Sequence, residues 1–212
     1  MDTRLRLGLD FDNTVVDYDG LFYRCARDLG LVGPQVAPLK GEVRQAIRRG
    51  PGNQAWIALQ AEVYGRRILE APATPGLWEF LERCRSQGVE VAIISHKTRR
   101  PAGDPSLDLH QAAAAWLRAH RVAERWGIPA QRWFFEPTRQ AKLERIAREG
   151  CGHFVDDLVE VLAEAAFPPG VERLLYQPRG DGPLPPGVRR FRSWSEIGSY
   201  LFEGDGAGRP GR

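Results

Sequence analysis

The chain has 212 residues, 42% of them hydrophobic and 27% charged, with a formal net charge of +3. That length holds one good-sized domain or a core with an appendage, and the composition excludes a disordered or fibrous chain. So small a positive excess gives no electrostatic argument for nucleic acid. Of the 30 basic residues 27 are arginine, which sets apart the three lysines Lys40, Lys97 and Lys142. Cys25, Cys84 and Cys151 are odd in number, far apart and without C-x-x-C spacing, so neither a disulfide framework nor a zinc site is indicated. No N-terminal apolar run has signal-peptide length, and none anywhere approaches the roughly 18 residues of a membrane helix. The expectation is a cytoplasmic protein without membrane partners.

Leu5, Leu7 and Leu9 alternate before an acidic turn and predict a strand, although Arg4 and Arg6 are unusual for a central parallel one. Apolar residues at helical spacing then predict helices near 20–30, 38–49 and 53–65, with no strand between them. Thr74-Pro75-Gly76 leads into a helix carrying Leu77, Phe80, Leu81 and Cys84, closed by Gly88 and followed by the apolar run Val89 to Ile94. After breakers at 99–105 the pattern predicts a helix near 110–120, a strand at Trp133-Phe134-Phe135 and a helix started by Thr138. A strand at His153 to Val155, a helix over 158–166 and a final strand at Val171 to Tyr176 complete the alternation. Residues 178–187 read as a loop, with Arg179-Gly180-Asp181 as turn chemistry.

The repeated helix-strand order predicts an α/β fold, a Rossmann-like three-layer sandwich around a central parallel sheet. The core spans 1–17 and 71–202, a small α-helical cap spans 18–70, and 203–212 forms a flexible tail.

In such a sheet ligands bind beyond the carboxyl ends of the strands, so polar residues directly after apolar runs are the first functional candidates. Four places qualify: Asp10-Phe11-Asp12-Asn13-Thr14, Ser95, Lys142 at the start of a helix, and Asp156-Asp157. Carboxylates, a hydroxyl and a lysine suit a phosphate with a hard cation such as magnesium. Two carboxylates two residues apart can divide labour between nucleophile or ligand and acid-base, while a lysine neutralises nearby charge. Each piece alone is more often a helix cap, a turn or a solvated side chain. The conjunction at four successive strand exits is what argues for a site.

This order, Asp-x-Asp-x-Thr, a strand ending in Ser, a helix-borne Lys and a strand ending in Asp-Asp, resembles the haloacid dehalogenase superfamily over about Leu5 to Tyr176. The resemblance implies that Asp10 attacks phosphorus, forming an aspartyl-phosphate, while Asp12 protonates the leaving oxygen and then activates water. It also implies phosphate binding by Ser95, Lys142, Thr14 and His96. Mg2+ would be held by the Asp10 carboxylate, the backbone carbonyl of Asp12 and one of Asp156 and Asp157, the pair leaving open which is the direct ligand. Members that displace halide lack the second Asp of the first motif, so Asp12 favours phosphoryl transfer.

By the same resemblance the cap chooses the leaving group, with Arg48, Arg49, Gln54, Trp56 and Tyr64 as candidates there; Trp56 also fits a core position, and Arg48-Arg49 a solvated face. His96-Lys97-Thr98-Arg99-Arg100, leaving a strand end beside the phosphate site, suits a second anionic group through Lys97, Arg99 and Arg100, or else is a basic surface loop. His110, His120 and His153 show no partner pattern. The expected activity is hydrolysis of a small phosphate monoester such as a sugar phosphate or nucleotide. A polynucleotide end phosphatase, a phosphomutase and a non-catalytic phosphate-binding protein are the alternatives, and the modest charge counts against nucleic acid.

Overall fold

The structure is a computed structural model that describes residues 4–203, so residues 1–3 and the 204–212 part of the expected tail lie outside the described residues. Six strands, β1 (Arg6–Leu9), β2 (Glu90–His96), β3 (Trp133–Glu136), β4 (His153–Asp156), β5 (Glu172–Tyr176) and β6 (Val188–Phe191), form one sheet in the order β3-β2-β1-β4-β5-β6. Every neighbouring pair is parallel. The crossovers carry α4 (Leu77–Ser86), α5 (Leu109–Ala119), α6 (Val122–Trp126), α7 (Arg139–Arg148) and α8 (Val159–Leu162), and α9 (Trp194–Phe202) follows β6. The fold is the expected Rossmann-like α/β sandwich.

Side chains alternate between the two faces of a strand, and two cores form accordingly. Leu7, Leu9, Val91, Ile93, Val155 and Leu174 join one core with Leu77 and Phe80 of α4, Trp116 of α5 and Trp194 of α9. Ala92, Ile94, Phe154 and Leu175 join the other with Leu143 and Ile146 of α7 and Leu162 of α8. The second face of β1 is occupied by Gly8, where an added Cβ would lie 2.4 Å from a ring carbon of Phe154. A central strand that read as half polar is therefore buried on both faces. Arg6 sits at the amino rim of the sheet, its Nε 3.3 Å from Glu90.

Between β1 and α4 the chain forms α1 (Asp19–Asp28), α2 (Lys40–Arg49), α3 (Asn53–Ala61), a wide turn at Glu62–Arg66 and a tight one at Ile68–Glu70. Leu21, Phe22, Val43, Ile47, Trp56 and Leu59 bury their stripes against one another and join the first core. Trp56 stacks on Phe22 with centroids 5.0 Å apart, so it is a packing residue rather than a substrate contact. Arg66 pairs with Asp104 and Arg179 with Asp19, tying this insertion to the sheet-bearing part from two sides.

The structure departs from the predicted elements after residue 157. The helix expected over 158–166 is confined to Val159–Leu162, because a turn closed by the Phe167 N–H on the Glu164 carbonyl carries Phe167 into the second core. The alternation does not end at Tyr176 but continues through β6 and α9. The short α6 was likewise unexpected. Among the described residues no helix is long and apolar enough to cross a membrane, and Cys25, Cys84 and Cys151 are buried free thiols.

Candidate active site

The strand order turns at β1, with β2 and β3 on one side and β4 to β6 on the other, and such a turning point opens a crevice at the carboxyl ends. Asp10 directly follows β1 and its N–H donates to the Val155 carbonyl at 2.8 Å, while Asp156 closes β4. Leu9 pairs with Ile93 on one side and Val155 on the other, so Asp10, buried Ser95 and Asp156 leave the same sheet edge.

A tight turn follows. The Phe11 carbonyl accepts from the N–H groups of Val15 and Val16, both at 3.0 Å. Asn13 takes the left-handed conformation at φ 58°, which asparagine tolerates better than most residues, and its side chain donates to Asp157 at 3.3 Å. Thr14 is buried, and its hydroxyl has no hydrogen-bond partner among the described residues. The Thr14 carbonyl accepts from the Thr74 hydroxyl at 2.6 Å, and Thr74 in turn accepts from the Trp194 indole at 2.8 Å. The Thr74-Pro75-Gly76 segment and α9 thus brace the turn from behind.

Asp10, Asp156 and Asp157 each offer a carboxylate oxygen within 4.8 Å of the others. Lys142, in the first turn of α7 and 2% exposed, places its ammonium 2.6 Å from both Asp10 and Asp156. Burial pushes Asp10 up to about 7, assisted by the charges of Asp156 and Asp12 and opposed by Lys142. Burial likewise raises Asp157, with Asp156 and Asp10 adding to the effect. Burial works to lower Lys142, but the charges of Asp10 and Asp156 outweigh it and hold the lysine above its ordinary value. One lysine does not neutralise three clustered carboxylates, and an all-oxygen donor set of this kind fits a hard divalent cation.

Lys97 follows β2 directly and is 4% exposed. Its ammonium lies 2.9 and 2.8 Å from the two carboxylate oxygens of Asp12. This differs from the expected role as a holder of a second anion, because Asp12 already occupies it. Arg99 is committed to Asp108 at 2.8 Å, and Arg100 to the carbonyls of Ser106 and Leu107 at 3.2 and 3.1 Å. Asp12, His96, Lys97 and Thr98 line a cavity of about 320 Å³ together with Gln60 and Tyr64 from the insertion.

The third lysine was not a sequence candidate for the site. Lys40, at the start of α2, lies 5.5 Å from the ring centroids of both Phe22 and Tyr64. It lines a second cavity of about 450 Å³ with Asn13, Asp157 and Arg179. Burial works to lower its pKa, but Tyr64, Asp157 and Asp12 outweigh that and raise it. All three lysines of the chain therefore lie around the same group of aspartates, and that scarcity was the signal that marks Lys40. Arg48 and Arg49 lie exposed at the other end of α2, about 12 Å away along the axis, and line neither cavity.

No protein-family model matches this chain and no curated protein matches it. Solved structures do match. A HAD family hydrolase from Deinococcus radiodurans R1 with bound phosphate and sodium is 16% identical, with a TM-score of 0.61 over 95% of this chain and 96% of its own. The magnesium-bound HAD-hydrolase YfnB of Bacillus subtilis is 14% identical, with a TM-score of 0.57 over 94% of this chain and 99% of its own. A dehalogenase is 19% identical, with a TM-score of 0.55 over 95% and 98%. The chain shares its fold with these proteins over nearly the whole length of each.

Proposed function

We propose that this chain is a hydrolase of the haloacid dehalogenase superfamily that releases phosphate from small monoesters with Mg2+ as its cofactor. The observation that carries this reading is a pair of carboxylates two residues apart with different partners. Asp10 is buried against Lys142, whereas Asp12 is held by Lys97 and lines the neighbouring cavity. Two acids kept apart in this way suit two roles in one reaction.

In the first step an Asp10 oxygen attacks phosphorus and the bond to the leaving oxygen breaks, that oxygen taking a proton from Asp12. In the second, water attacks the same phosphorus, gives a proton back to Asp12 and releases phosphate, restoring the Asp10 carboxylate. Lys142 holds Asp10 in place and offsets the repulsion between an anionic nucleophile and a phosphate dianion. Ser95 at the end of β2 faces the same edge and is the candidate to hold a phosphoryl oxygen. Bound Mg2+ supplies further charge neutralisation at the phosphoryl group, and Asp10 and Asp157, with the Asp12 carbonyl, are the residues proposed to hold it. Asp156 then serves to orient Lys142. Cavities of about 320 and 450 Å³ suit a metabolite-sized leaving group. The phosphate and magnesium held by two of the structural neighbours agree with this reading.

The test is a release assay over sugar phosphates, nucleotides and 4-nitrophenyl phosphate with Mg2+, beside a halide-release assay on 2-haloacids. Phosphate release that stops with chelator and is absent in Asp10→Asn supports the proposal. Halide release without phosphate release, or full activity in Asp10→Asn, overturns it.

A further inference from the structure

We propose that Lys97 is the positioning residue of the general acid: it holds the Asp12 carboxylate toward the leaving-group cavity and out of the cation cluster. This rests on the phosphatase reading above.

The geometry is that of a clamp rather than a solvated surface lysine. The Lys97 N–H donates to the Glu136 carbonyl on β3 at 2.8 Å, and the His110 ring donates from Nε2 to the Lys97 carbonyl at 2.8 Å. The backbone is thus fixed on both sides. The ammonium lies 5.7 Å from the Phe11 ring centroid and 4.9 Å from that of Tyr64, so two aromatic faces confine it. From there it engages both oxygens of Asp12.

The consequence appears in what Asp12 does not do. Of the four site carboxylates, three converge closely enough to hold a cation, and Asp12 is not among them. Asp12 is only two residues from Asp10, and a carboxylate left without a partner beside a divalent cation would turn toward it as a ligand. Lys142 is engaged by Asp10 and Asp156, and Asp12 takes its ion pair from Lys97 instead. Lys97 supplies the competing charge from the cavity side. The two lysines divide the acids, one keeping the nucleophile and its neighbour, the other keeping the group that serves the leaving oxygen.

A positioning role predicts a leaving-group signature that loss of packing or of phosphate affinity does not give. An alkyl leaving group needs its proton during bond cleavage, whereas 4-nitrophenolate leaves without one. The experiment compares kcat/KM for glycerol phosphate and 4-nitrophenyl phosphate in the wild type, Lys97→Met and Lys97→Arg, with Mg2+ present. In Lys97→Met the alkyl-to-aryl ratio of kcat/KM falls by about tenfold or more, and Lys97→Arg restores part of it.

Because breaking a buried pair is harsher on folding than removing both members, the cycle is completed with Asp12→Asn and Asp12→Asn/Lys97→Met. The double variant should match Asp12→Asn on both esters within about threefold. An unchanged ratio in Lys97→Met, or a further tenfold loss in the double variant, overturns the positioning role while leaving the phosphatase reading intact. Release by the wild type from neither of these esters nor any sugar phosphate or nucleotide overturns the phosphatase reading and this inference with it.

Discussion

The ammonium of Lys142 lies 2.6 Å from a carboxylate oxygen of Asp10, although the two residues stand 132 positions apart in the chain. Both are almost fully buried, so neither charge is satisfied by water if the other is removed. Lys142→Met should therefore lose about 3–5 kcal/mol of stability in metal-free protein, read by urea unfolding. Asp10→Asn takes half of the compensation from Lys142 but also removes one of several crowded negative charges, so it should cost less stability than Lys142→Met, while phosphate release falls by about a thousandfold or more. An Asp10→Asn protein that is as destabilised as Lys142→Met and still active would contradict both halves.

The raised Asp10 makes metal-free stability fall with pH. Its value of about 7 in the folded protein stands above the ordinary 3.8, so between those limits the folded state holds a proton that the unfolded state has lost. That contribution is complete below about pH 4 and is lost as pH rises through about 7. Asp157 tilts the same way, whereas burial lowers His96 and His153 and tilts them oppositely. Melting the wild type beside Asp10→Asn cancels the histidines. The wild type should lose stability relative to the variant from about pH 4 to about pH 7, and Mg2+, which competes with those protons, should raise its midpoint more at the higher pH. A difference that is flat or rises with pH counts against the assignment.

Gly8 is as constrained as any apolar core residue. A Cβ there would meet ring carbons of Phe154 at 2.4 and 2.8 Å and the Cys151 sulfur at 3.1 Å. Gly8→Ala should cost about 1–3 kcal/mol through overpacking, with an unchanged urea m-value, and Gly8→Ala/Phe154→Leu should recover part of the loss. Wild-type stability in Gly8→Ala would show that the two strands can part without penalty.

How much of this was legible depended on whether the signal was local. Asp10, Ser95, Lys142 and Asp156 follow apolar strands or open a capped helix, and each announces itself within a few residues. β6 does not: Val188-Arg189-Arg190-Phe191 is a short edge strand after a Pro- and Gly-rich loop, and only its pairing with β5 makes it a strand. α9 did carry a local signal, because Ser193 accepts from the Glu196 N–H and Glu196 accepts from the Arg192 N–H. Lys40 lies on an insertion helix 30 residues beyond Asp10, and its periodicity is that of any amphipathic helix. Its meeting with Asp157 is tertiary, so the rarity of lysine was the clue available. The arginines at 48, 49, 99 and 100 illustrate the reverse. Their charge suggested anion binding, but the first pair is exposed at the far end of α2 and the second is satisfied within its own loop.

Asp156 and Asp157 are adjacent in sequence but differently engaged, and this separates their variants. One Asp156 oxygen accepts from Lys142 at 2.6 Å and the other from the Leu158 N–H at 2.9 Å, so both are in use within the fold. Asp157 accepts from Asn13 at a longer 3.3 Å and lines the 450 Å³ cavity, leaving its carboxylate available to a cation. Asp157→Asn should weaken Mg2+ binding by about tenfold or more in calorimetric titration, with metal-free stability equal to or above wild type. Asp156→Asn should instead lower metal-free stability by about 3 kcal/mol, because Lys142 loses half of its compensation in a buried setting. The reverse pattern, with Asp156→Asn abolishing Mg2+ binding in a fully stable protein, would exchange the two roles and make Asp157 the residue that organises the lysine.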